Sequence, residues 1–301
     1  MAKNILIAGA SGMIGTKLTE HLLKEGHIVS HLGRSKKSGE IPSFAWDVEK
    51  GQIDAKALEE VDTIINLAGA GVADKRWTAS RKKLILESRI QSCALLYETL
   101  TRTSHRVTTF ITASAIGYYG IDSADICTEE SPPGSDFLAQ VTRQWEEAAD
   151  RINSLGIRVV KLRIGIVLSN TGGALMEMAR PVRWWVGSPL GSGQQVMSWI
   201  HIDDLCRMFL RASVNEQMSG AYNAVGPEWA TNEELTRVIA KILHKPILLP
   251  PIPAFALRLA LGEMANMVLT GSKVSCSKIQ RAEFEFQFKS LEPALSNLLT
   301  P

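Results

Sequence analysis

One short stretch near the start of the chain limits its fold more than any other. It reads KNILIAGASGMIG over residues 3–15, an apolar run followed by closely spaced glycines. The apolar run is typical of a buried parallel strand, and residues 14–23 then place apolar side chains at helical spacing. Gly9, Gly12 and Gly15 lie between the two, where they allow a tight turn and bring phosphate oxygens close to the backbone. This pattern predicts a dinucleotide-binding loop. A purely structural glycine turn is the alternative.

Strand-like and helical runs alternate over the first half of the chain. Further apolar runs occur in HIVSHLGR, DTIINLAGAG, VTTFITASA and IRVVKLRIGIVL, with helical spacing between them. Such alternation requires right-handed crossovers and a parallel sheet that helices cover on both faces. The predicted fold class is therefore α/β, a Rossmann-like doubly wound parallel sheet with a smaller interleaved C-terminal α/β region.

The rhythm of the sequence changes near residue 167, where proline and glycine become frequent. We predict an NAD(P)-binding Rossmann domain over residues 1–166 and a C-terminal substrate-side region over residues 167–301. Parts of residues 196–226 are expected to return to the main sheet. Residues 251–269 read PIPAFALRLALGEMANMVL, and their charged residues make them fall short of a transmembrane span. They predict a substantially buried amphipathic helix.

Charge and cysteine content narrow the class of partner and the compartment. The chain has 33 basic and 31 acidic residues, a formal net charge of +2 over 301 positions. This balance gives no electrostatic reason to expect nucleic acid or an anionic membrane as a partner. The four cysteines are far apart in sequence and form no Cys-x-x-Cys pair, so neither a disulfide framework nor a zinc site is expected. We therefore expect a cytoplasmic protein that binds a small-molecule substrate, without a metal.

The residues after the second predicted strand favour one dinucleotide over the other. An NAD site usually carries Asp or Glu about 20 residues after the glycines, where it accepts a hydrogen bond from the ribose 2′-OH. This chain instead reads GRSKK, in which Arg34 and Ser35 precede Lys36 and Lys37. A carboxylate would repel a 2′-phosphate, whereas a guanidinium binds it with two charge-assisted hydrogen bonds. NADP is thus the favoured cofactor and NAD the less favoured one, with a solvated loop as the alternative interpretation.

The order of several motifs resembles that of the extended short-chain dehydrogenase/reductases. These motifs are GASGMIG, NLAGAG, SAIGYYG, LRIGIVLS and WIHIDD. More narrowly, NLAGAGVADKRWT, ESRIQS, SAIGYYG and SWIHIDDL resemble epimerase-family proteins related to nucleoside-diphosphate-sugar epimerases. The tail, residues 250–299, is similar to that subfamily's own C-terminal domain of unknown function.

The resemblance implies a nicotinamide nucleotide bound across the carboxyl edge of the sheet. The three glycines would lie under the pyrophosphate, and Arg34 and Ser35 at the 2′-phosphate. Ser114 and Tyr118 would border the nicotinamide. The other cofactor residues that the resemblance implies are Ser11, Met13 and Ile14 along the pyrophosphate, Ala68 and Gly69 near the adenine-side ribose, and Asp47 at the adenine.

The catalytic pair of the wider superfamily is missing from this chain. Its members use Tyr-x-x-x-Lys on the helix after the SAIGYYG strand, where the lysine lowers the pKa of the tyrosine for proton exchange. Here that helix reads DFLAQVTRQWEEA, with Phe137 or Leu138 in the tyrosine place and Val141 or Thr142 in the lysine place. Neither combination can relay a proton, so the usual chemistry cannot be carried over intact.

Without a helical tyrosine, the nearest hydroxyls to the nicotinamide are those of Ser114, Tyr118 and Tyr119. We predict that Ser114 donates a hydrogen bond to a substrate oxygen and that one tyrosine acts as an acid. The alternative is a serine that caps the strand end and tyrosines that wall the pocket. Arg163, which ends the VVKLR run, is predicted on the cofactor side, and a structural role is equally open.

Three further residues are predicted to contact the substrate. Lys75 follows a glycine-rich strand end and Arg89 lies on a long helix, so a cationic rim would suit an anionic substrate. Trp184 stands beside the flexible segment GSPLGSGQQ, which suits either a substrate lid or a homodimer contact.

Together these features predict an atypical, NADP-dependent oxidoreductase or epimerase-like enzyme that acts on an alcohol or carbonyl of a small molecule. The alternative is a catalytically inactive NADP-binding sensor or interaction protein, because the intact glycine loop is compatible with both.

Overall fold

The computed structural model of the chain describes residues 2–36, 38–120 and 125–300. The strands of this part of the chain are β1 (Asn4–Ala8), β2 (Ile28–Gly33), β3 (Ser43–Asp47), β4 (Gln52–Ile53), β5 (Thr63–Asn66), β6 (Thr109–Ala115), β7 (Arg158–Ile164), β8 (Ile166–Leu168), β9 (Val196–His201), β10 (Gly220–Ala224) and β11 (Trp229–Thr231). Eight of them form one sheet with the order β10-β7-β6-β5-β1-β2-β3-β4.

Neighbouring strands of the eight-stranded sheet run parallel, except that β4 is antiparallel to β3. Every residue of β5 is buried, as expected for a parallel strand that helices cover on both faces. The strand order reverses at β1, which lies between β2 and β5. In open α/β sheets, ligands bind at such a reversal, outside the carboxyl ends of the strands. The predicted doubly wound parallel sheet is confirmed.

The helices lie in the connections between these strands and in the C-terminal region. The α-helices are α1 (Met13–Lys24), α2 (Ala79–Arg102), α3 (Phe137–Asp150), α4 (Ala174–Arg183), α5 (Ile202–Val214), α6 (Asn232–Ile242), α7 (Ala254–Leu261), α8 (Asn266–Leu269), α9 (Ser277–Arg281) and α10 (Leu291–Leu299), and the 3₁₀ helices are Ala55–Leu58, Ile116–Tyr119, Arg151–Leu155 and Gly262–Ala265. Helices α2 and α3 pack against each other, as do α1 and α5. The crossover from β1 to β2 through α1 and the crossover from β5 to β6 through α2 run in opposite directions across the sheet, so their right-handedness places α1 and α2 on opposite faces.

The chain leaves the main sheet after β7 and returns to it later. Strand β8 pairs with β9, which pairs with β11, and these three strands form a second, smaller sheet. Gly165 separates β7 from β8, and a Cβ there would lie 2.4 Å from the backbone oxygen of Ser198. Strand β10 then pairs in parallel with β7. The domain division at residue 166 stays a prediction.

The C-terminal tail is held against the start of α5. Asp204 is fully buried and accepts hydrogen bonds from the backbone N–H groups of Gln287 and Phe288, both at 2.9 Å. The imidazole of His201 stacks on the Phe288 ring, with 3.7 Å between the ring centroids. Its Nε2 also lies 3.2 Å from Oδ1 of Asn297 on α10. His201 and Asp204 of the WIHIDD motif therefore hold the tail in place.

The expectation of a buried helix within residues 251–269 is wrong for its first part. None of the residues of α7 is buried, and Phe255 and Leu259 are 73% and 79% exposed. Apolar composition predicted burial, but the helix has another element against only part of its surface. No helix in the described part of the chain is long and apolar enough to cross a membrane.

Candidate functional site

The predicted site residues gather at one edge of the main sheet. This edge is formed by the carboxyl ends of parallel strands, which parallel pairing brings together. Gly9 follows β1, Arg34 and Ser35 follow β2, Ala68 and Gly69 follow β5, Ser114 lies near the end of β6 with Tyr118 and Tyr119 just beyond it, and Arg163 lies near the end of β7.

The loop between β1 and α1 requires glycine at two of its three glycine positions. Gly9 has φ +81°, and a Cβ there would lie 2.9 Å from the backbone carbon of Leu67. A Cβ on Gly15 would lie 2.6 Å from Cα of Ala10. Gly12 differs, because the nearest atom to its Cβ position is 3.5 Å away. Gly9 and Gly15 thus permit close backbone packing. A Cβ on Gly12 would make only an ordinary van der Waals contact, so packing within the protein does not require glycine there.

The N-terminus of α1 is available to an anion. Gly12 is its N-cap residue, no side chain in the described part of the chain caps the helix, and its first turn contains no acidic residue. The first N–H groups of a helix lack intrahelical partners, and the helix dipole adds positive potential there. Ser11 is exposed beside this end, whereas Met13 and Ile14 are half-buried. The site fits the pyrophosphate of a dinucleotide.

The end of β2 presents the residues that favour NADP. Arg34 and Ser35 are exposed, and Arg34 has no ion-pair partner among the described residues. Lys36 is exposed as well, and Lys37 lies outside the described residues. Asp47 ends β3 and accepts a hydrogen bond from the backbone N–H of Lys50 at 3.1 Å. Its predicted contact with adenine stays a prediction.

Ser114 belongs to a buried polar cluster. Its hydroxyl donates to Oε1 of Glu146 at 2.7 Å. The same carboxylate accepts two hydrogen bonds from Arg163, from Nε at 2.8 Å and from a terminal nitrogen at 2.9 Å. Burial alone would lower the pKa of Arg163, but the hydrogen bonds and charge of Glu146 outweigh it and raise that pKa. Arg163 is therefore a fixed cation between β6, β7 and α3.

Tyr119 is a second member of this cluster. Its hydroxyl accepts a hydrogen bond from Arg163 at 3.0 Å and donates to Oδ1 of Asn223 at 2.6 Å. Burial raises the pKa of Tyr119 to about 12, although Arg163 and Asn223 act in the opposite direction. Tyr119 is thus a neutral, fully engaged phenol at neutral pH.

Tyr118 differs from its neighbour. Its ring lies against the Arg163 guanidinium, with 3.5 Å between the guanidinium carbon and the ring centroid. The rings of Tyr118 and Tyr119 meet edge to face at 5.5 Å. Tyr118 is half-buried, and its hydroxyl has no hydrogen-bond partner in the described part of the chain. Of the three predicted catalytic hydroxyls, this one alone is not engaged by described protein groups.

Helix α3 uses the superfamily's tyrosine and lysine places for packing. The Phe137 ring meets Trp77 at 5.1 Å between centroids, and Lys82 Nζ lies 4.9 Å from the Phe137 centroid. Val141 and Thr142 are buried, and the Thr142 hydroxyl donates to the backbone oxygen of Leu138 at 2.8 Å. The residues that stand in the superfamily's tyrosine and lysine places therefore have a packing role in this chain.

Arg89 is fixed beside the strand end that carries Ala68 and Gly69. It donates to the backbone oxygens of Ala70 at 2.9 Å and Ile85 at 2.8 Å. A Cβ on Gly69 would lie 3.2 Å from this side chain, so glycine accommodates it. Burial and the charge of Arg81 lower the pKa of Arg89 to about 10, so it stays cationic at neutral pH.

The other two predicted substrate residues lie apart from each other. Lys75 is exposed in the loop between β5 and α2. The C-terminal region reaches this loop, because Lys82 pairs with Glu263 and a Cβ on Gly262 would lie 2.8 Å from Arg76. Trp184 follows α4 and is 75% exposed. The substrate contacts of Lys75, Arg89 and Trp184 stay predictions.

Sequence reasoning missed the residue that organises the buried cluster, Glu146. Its signal was present, because helical spacing from Val141 through Trp145 to Ala149 makes this face of α3 apolar and places a carboxylate beside it. A lone acidic residue on an apolar face indicates a buried partner. Asn223 was missed as well, because β10 reaches the site only through the return of the chain to the main sheet. No group of three or more metal-ligating side chains is found among the described residues.

The doubly wound parallel sheet and the glycine loop after its first strand define a Rossmann-like nucleotide-binding protein. The chain belongs to the NAD dependent epimerase/dehydratase family, whose model matches residues 5–226. This membership supports the predicted nicotinamide cofactor. A domain of unknown function, DUF1731, matches residues 252–298, in agreement with the resemblance of the tail.

Individual relatives extend over nearly the whole chain. It is 37% identical over 299 residues to "Epimerase family protein SSP1921" of Staphylococcus saprophyticus, covering 99% of each chain. Among solved structures, it is similar to the human epimerase family protein SDR39U1 (isoform 2) with NADPH, at a TM-score of 0.87 and 29% identity over 98% of each chain. It is also similar to the nucleoside-diphosphate sugar epimerase of Corynebacterium glutamicum, at a TM-score of 0.81 and 30% identity, over 99% of this chain and 58% of that one.

Proposed function

We propose that the protein is an NADP-dependent oxidoreductase or epimerase-like enzyme that acts on an alcohol or carbonyl of a small molecule. The observation that carries this proposal is the N-terminus of α1, which no described side chain caps, on the same edge of the sheet as the Tyr118 hydroxyl, which no described protein group engages. The NADPH in the structure of human SDR39U1 supports the choice of cofactor.

The binding part of the proposal assigns three places to the cofactor. The N–H groups at the start of α1 would hold the pyrophosphate of the cofactor. Gly9 and Gly15 let the loop pack closely against the neighbouring backbone, which leaves room for the pyrophosphate. The Arg34 guanidinium and the Ser35 hydroxyl would hold a 2′-phosphate. When bound, the nicotinamide supplies or accepts the hydride of the reaction.

The proton part of the proposal rests on Tyr118 as the acid. Negative charge builds on a phenol oxygen when its proton leaves, and a cation against the ring stabilises that charge. Arg163 lies in that position, and Glu146 fixes it with two hydrogen bonds. From the face of the Tyr118 ring, Arg163 would thus supply part of the charge stabilisation that the lysine supplies in the wider superfamily.

Ser114 and Tyr119 have a different place in this proposal from Tyr118. Both hydroxyls donate their hydrogen to protein groups, Glu146 and Asn223. Neither hydroxyl therefore has a hydrogen left to donate to a substrate, and the Tyr119 oxygen already accepts from Arg163, so only the Ser114 oxygen could accept a hydrogen bond from a substrate hydroxyl. The two residues would therefore orient the substrate or the pocket wall while Tyr118 transfers the proton.

The experiment is a turnover screen with matched tyrosine variants. NADPH oxidation is followed by absorbance over a panel of carbonyl compounds. Conversion of nucleotide sugars in the presence of NADP⁺ is followed by chromatography, because an epimerase returns its hydride and leaves no net change in NADPH. Wild type, Tyr118→Phe and the control Tyr97→Phe on α2 are compared. For an active substrate, Tyr118→Phe should lower kcat by about 10²–10⁴-fold, as for a lost general acid. NADPH affinity should not change, and the control should behave as wild type. Equal kcat in wild type and Tyr118→Phe would remove the tyrosine from the mechanism.

A second candidate, a nucleotide-binding sensor without catalysis, is favoured by one observation. Phe137 packs between Trp77 and Lys82 at the place of the superfamily's tyrosine. NADPH binding without turnover of any substrate in the panel would favour this sensor over the enzyme.

A further inference from the structure

Exposed apolar side chains are concentrated in one part of the surface. Seven of the twelve large hydrophobic side chains that are exposed in the described part of the chain lie in residues 178–191 and 244–262. We call them the exposed apolar surface; its members are Trp184, Trp185, Val186, Leu248, Leu249, Phe255 and Leu259. Large exposed apolar patches on monomeric proteins mark interaction sites, whereas scattered apolar residues do not.

The two segments are neighbours in the structure. The Ser188 hydroxyl donates to the backbone oxygen of Pro250 at 2.5 Å, and the N–H of Gly191 donates to the backbone oxygen of Ile252 at 2.8 Å. The Lys245 Nζ lies 4.4 Å from the Trp185 ring centroid. Helix α7 begins two residues after Ile252, so the turn of Trp184–Val186 and the helix belong to one continuous region.

Within the two segments the charge is all of one sign, and the acidic residues that directly flank them, Glu177 and Glu263, are paired with Arg180 and Lys82. Residues 178–191 and 244–262 contain no aspartate or glutamate, although acidic residues make up 31 of the 301 positions of the chain. Their cations include Arg183, Lys245 and Arg258, none of which has an ion-pair partner among the described residues. Arg258 is on α7 beside Leu259, and Arg183 directly precedes Trp184. Exposed apolar side chains and unpaired cations thus occupy the same surface.

We propose that the exposed apolar surface docks on the surface of an anionic lipid bilayer. Phe255 and Leu259 are four residues apart and share one face of α7, which would lie in the plane of the interface. Trp184 and Trp185 are of the residue type enriched at membrane interfaces. Arg183, Lys245 and Arg258 would face the lipid phosphates. With a length of about 12 Å, α7 lies on a bilayer and does not span it.

A second copy of the chain is a poorer occupant of this surface. A two-fold contact places the same patch on both sides of the interface. Arg183, Lys245 and Arg258 of the two copies would then meet across the interface, and the two segments contain no acidic residue to pair with them. Like charges brought together in this way cost free energy, whereas an anionic surface supplies the missing counter-charge.

This proposal departs from the expectation that the protein has no membrane partner. That expectation was based on the even balance of charge along the chain. The balance holds for the whole sequence and fails locally, because the acidic residues are absent from the two segments that carry most of the exposed apolar side chains.

The test is flotation of the full chain with lipid vesicles. One set of vesicles contains phosphatidylcholine alone, and the other an equal mixture of phosphatidylcholine and phosphatidylglycerol. The apolar variant is Phe255→Ser with Leu259→Ser, and the charge variant is Arg183→Gln with Arg258→Gln. The matched controls are Ile28→Ser with Leu84→Ser, and Lys83→Gln with Arg143→Gln. Circular dichroism checks that each variant is folded.

The proposal expects binding to the mixed vesicles and weak or no binding to phosphatidylcholine alone. The charge variant should weaken binding by about 25-fold, from about fivefold for each cation removed, and added salt should weaken it further. The apolar variant should also lose binding, and both controls should keep it. Absence of binding, or equal binding to both vesicle types, overturns the proposal. So does a stable dimer that the apolar variant dissociates, because the surface would then belong to a second copy.

Discussion

Arg163 is the residue on which the polar groups of the candidate site converge. Its guanidinium holds the Glu146 carboxylate, donates to the Tyr119 hydroxyl and lies against the Tyr118 ring. A buried guanidinium needs a counter-charge and hydrogen-bond acceptors. Glu146 supplies the charge and accepts two of the hydrogen bonds, and Tyr119 and the backbone oxygen of Glu129 accept the others. The position of Tyr118 therefore depends on a carboxylate that does not itself touch that tyrosine.

Removal of the Glu146 charge tests this dependence. We expect Glu146→Gln to lower the free energy of unfolding by about 3–5 kcal/mol, because Arg163 is left buried without its partner. The neighbouring Glu147 is exposed, so Glu147→Gln should change that free energy by less than about 0.5 kcal/mol. Urea unfolding of the two variants measures the difference. Equal stabilities would show that the buried pair contributes no more than a surface carboxylate.

The place of Ser114, Tyr118 and Tyr119 at the carboxyl edge of the sheet could be predicted from the sequence, but their hydrogen bonding could not. Ser114, Tyr118 and Tyr119 follow a buried strand, so their place at the carboxyl edge follows from parallel topology. Which hydroxyl is engaged depends on Glu146 and Asn223, which come from α3 and from β10. Glu146 and Asn223 are far from Ser114 and Tyr119 in the sequence, so no local pattern links them. Only the folded sheet brings them together.

The glycines of the loop between β1 and α1 have different surroundings. Gly15 packs against the backbone of Ala10, whereas a Cβ on Gly12 would make only an ordinary van der Waals contact at the N-terminus of α1. The three glycines look alike in the sequence, although they serve different purposes in the structure.

Alanine at these two positions should separate the two purposes. Gly15→Ala is expected to lower the free energy of unfolding by about 1–3 kcal/mol, because its Cβ would overlap backbone that cannot rotate away. Gly12→Ala should change it by less than about 0.5 kcal/mol but weaken NADPH binding, because the methyl group lies where the phosphates approach. Thermal unfolding and NADPH titration of both variants measure this. Equal destabilisation by the two substitutions would contradict the assignment.

The contact between α5 and the tail gives the fold a pH dependence. Burial lowers the pKa of His201, which is neutral in the fold, while the unfolded chain binds a proton near pH 6.5. The unfolded state therefore binds more protons as the pH falls, so stability should decrease from about pH 7.5 to pH 5.5. Burial also lowers the pKa of His27, so this histidine contributes to the same decrease in stability.

His201→Gln should make the urea midpoint less sensitive to pH over this interval, whatever its effect on stability at pH 7.5. The exposed residue His244 provides the control, and His244→Asn should keep the wild-type pH dependence. A pH dependence unchanged by His201→Gln would mean that other groups control it.

At the scale of the whole molecule, the alternation of strands and helices was enough to predict the sheet. The sequence also led to the expectation that part of residues 196–226 returns to the main sheet, which β10 does. The pairing of β10 with β7 and the smaller β8-β9-β11 sheet depend on long-range contacts that no local pattern encodes. The exposure of α7 was missed for a related reason. An apolar helix predicts an apolar neighbour, but no element of the described chain covers Phe255 and Leu259.

Calorimetric titration with nicotinamide nucleotides is the most direct test of NADP binding at the carboxyl edge of the sheet. Nucleotide-free protein is titrated with NADPH and then with NADH, for wild type, Arg34→Ala and the exposed control Lys24→Ala. NADPH should bind more tightly than NADH, and Arg34→Ala alone should lose about 1–3 kcal/mol of NADPH affinity, as for a lost charge-assisted hydrogen bond. NADH affinity should be unchanged. If neither nucleotide binds, or if NADPH affinity is insensitive to Arg34→Ala, the proposed NADP site is wrong.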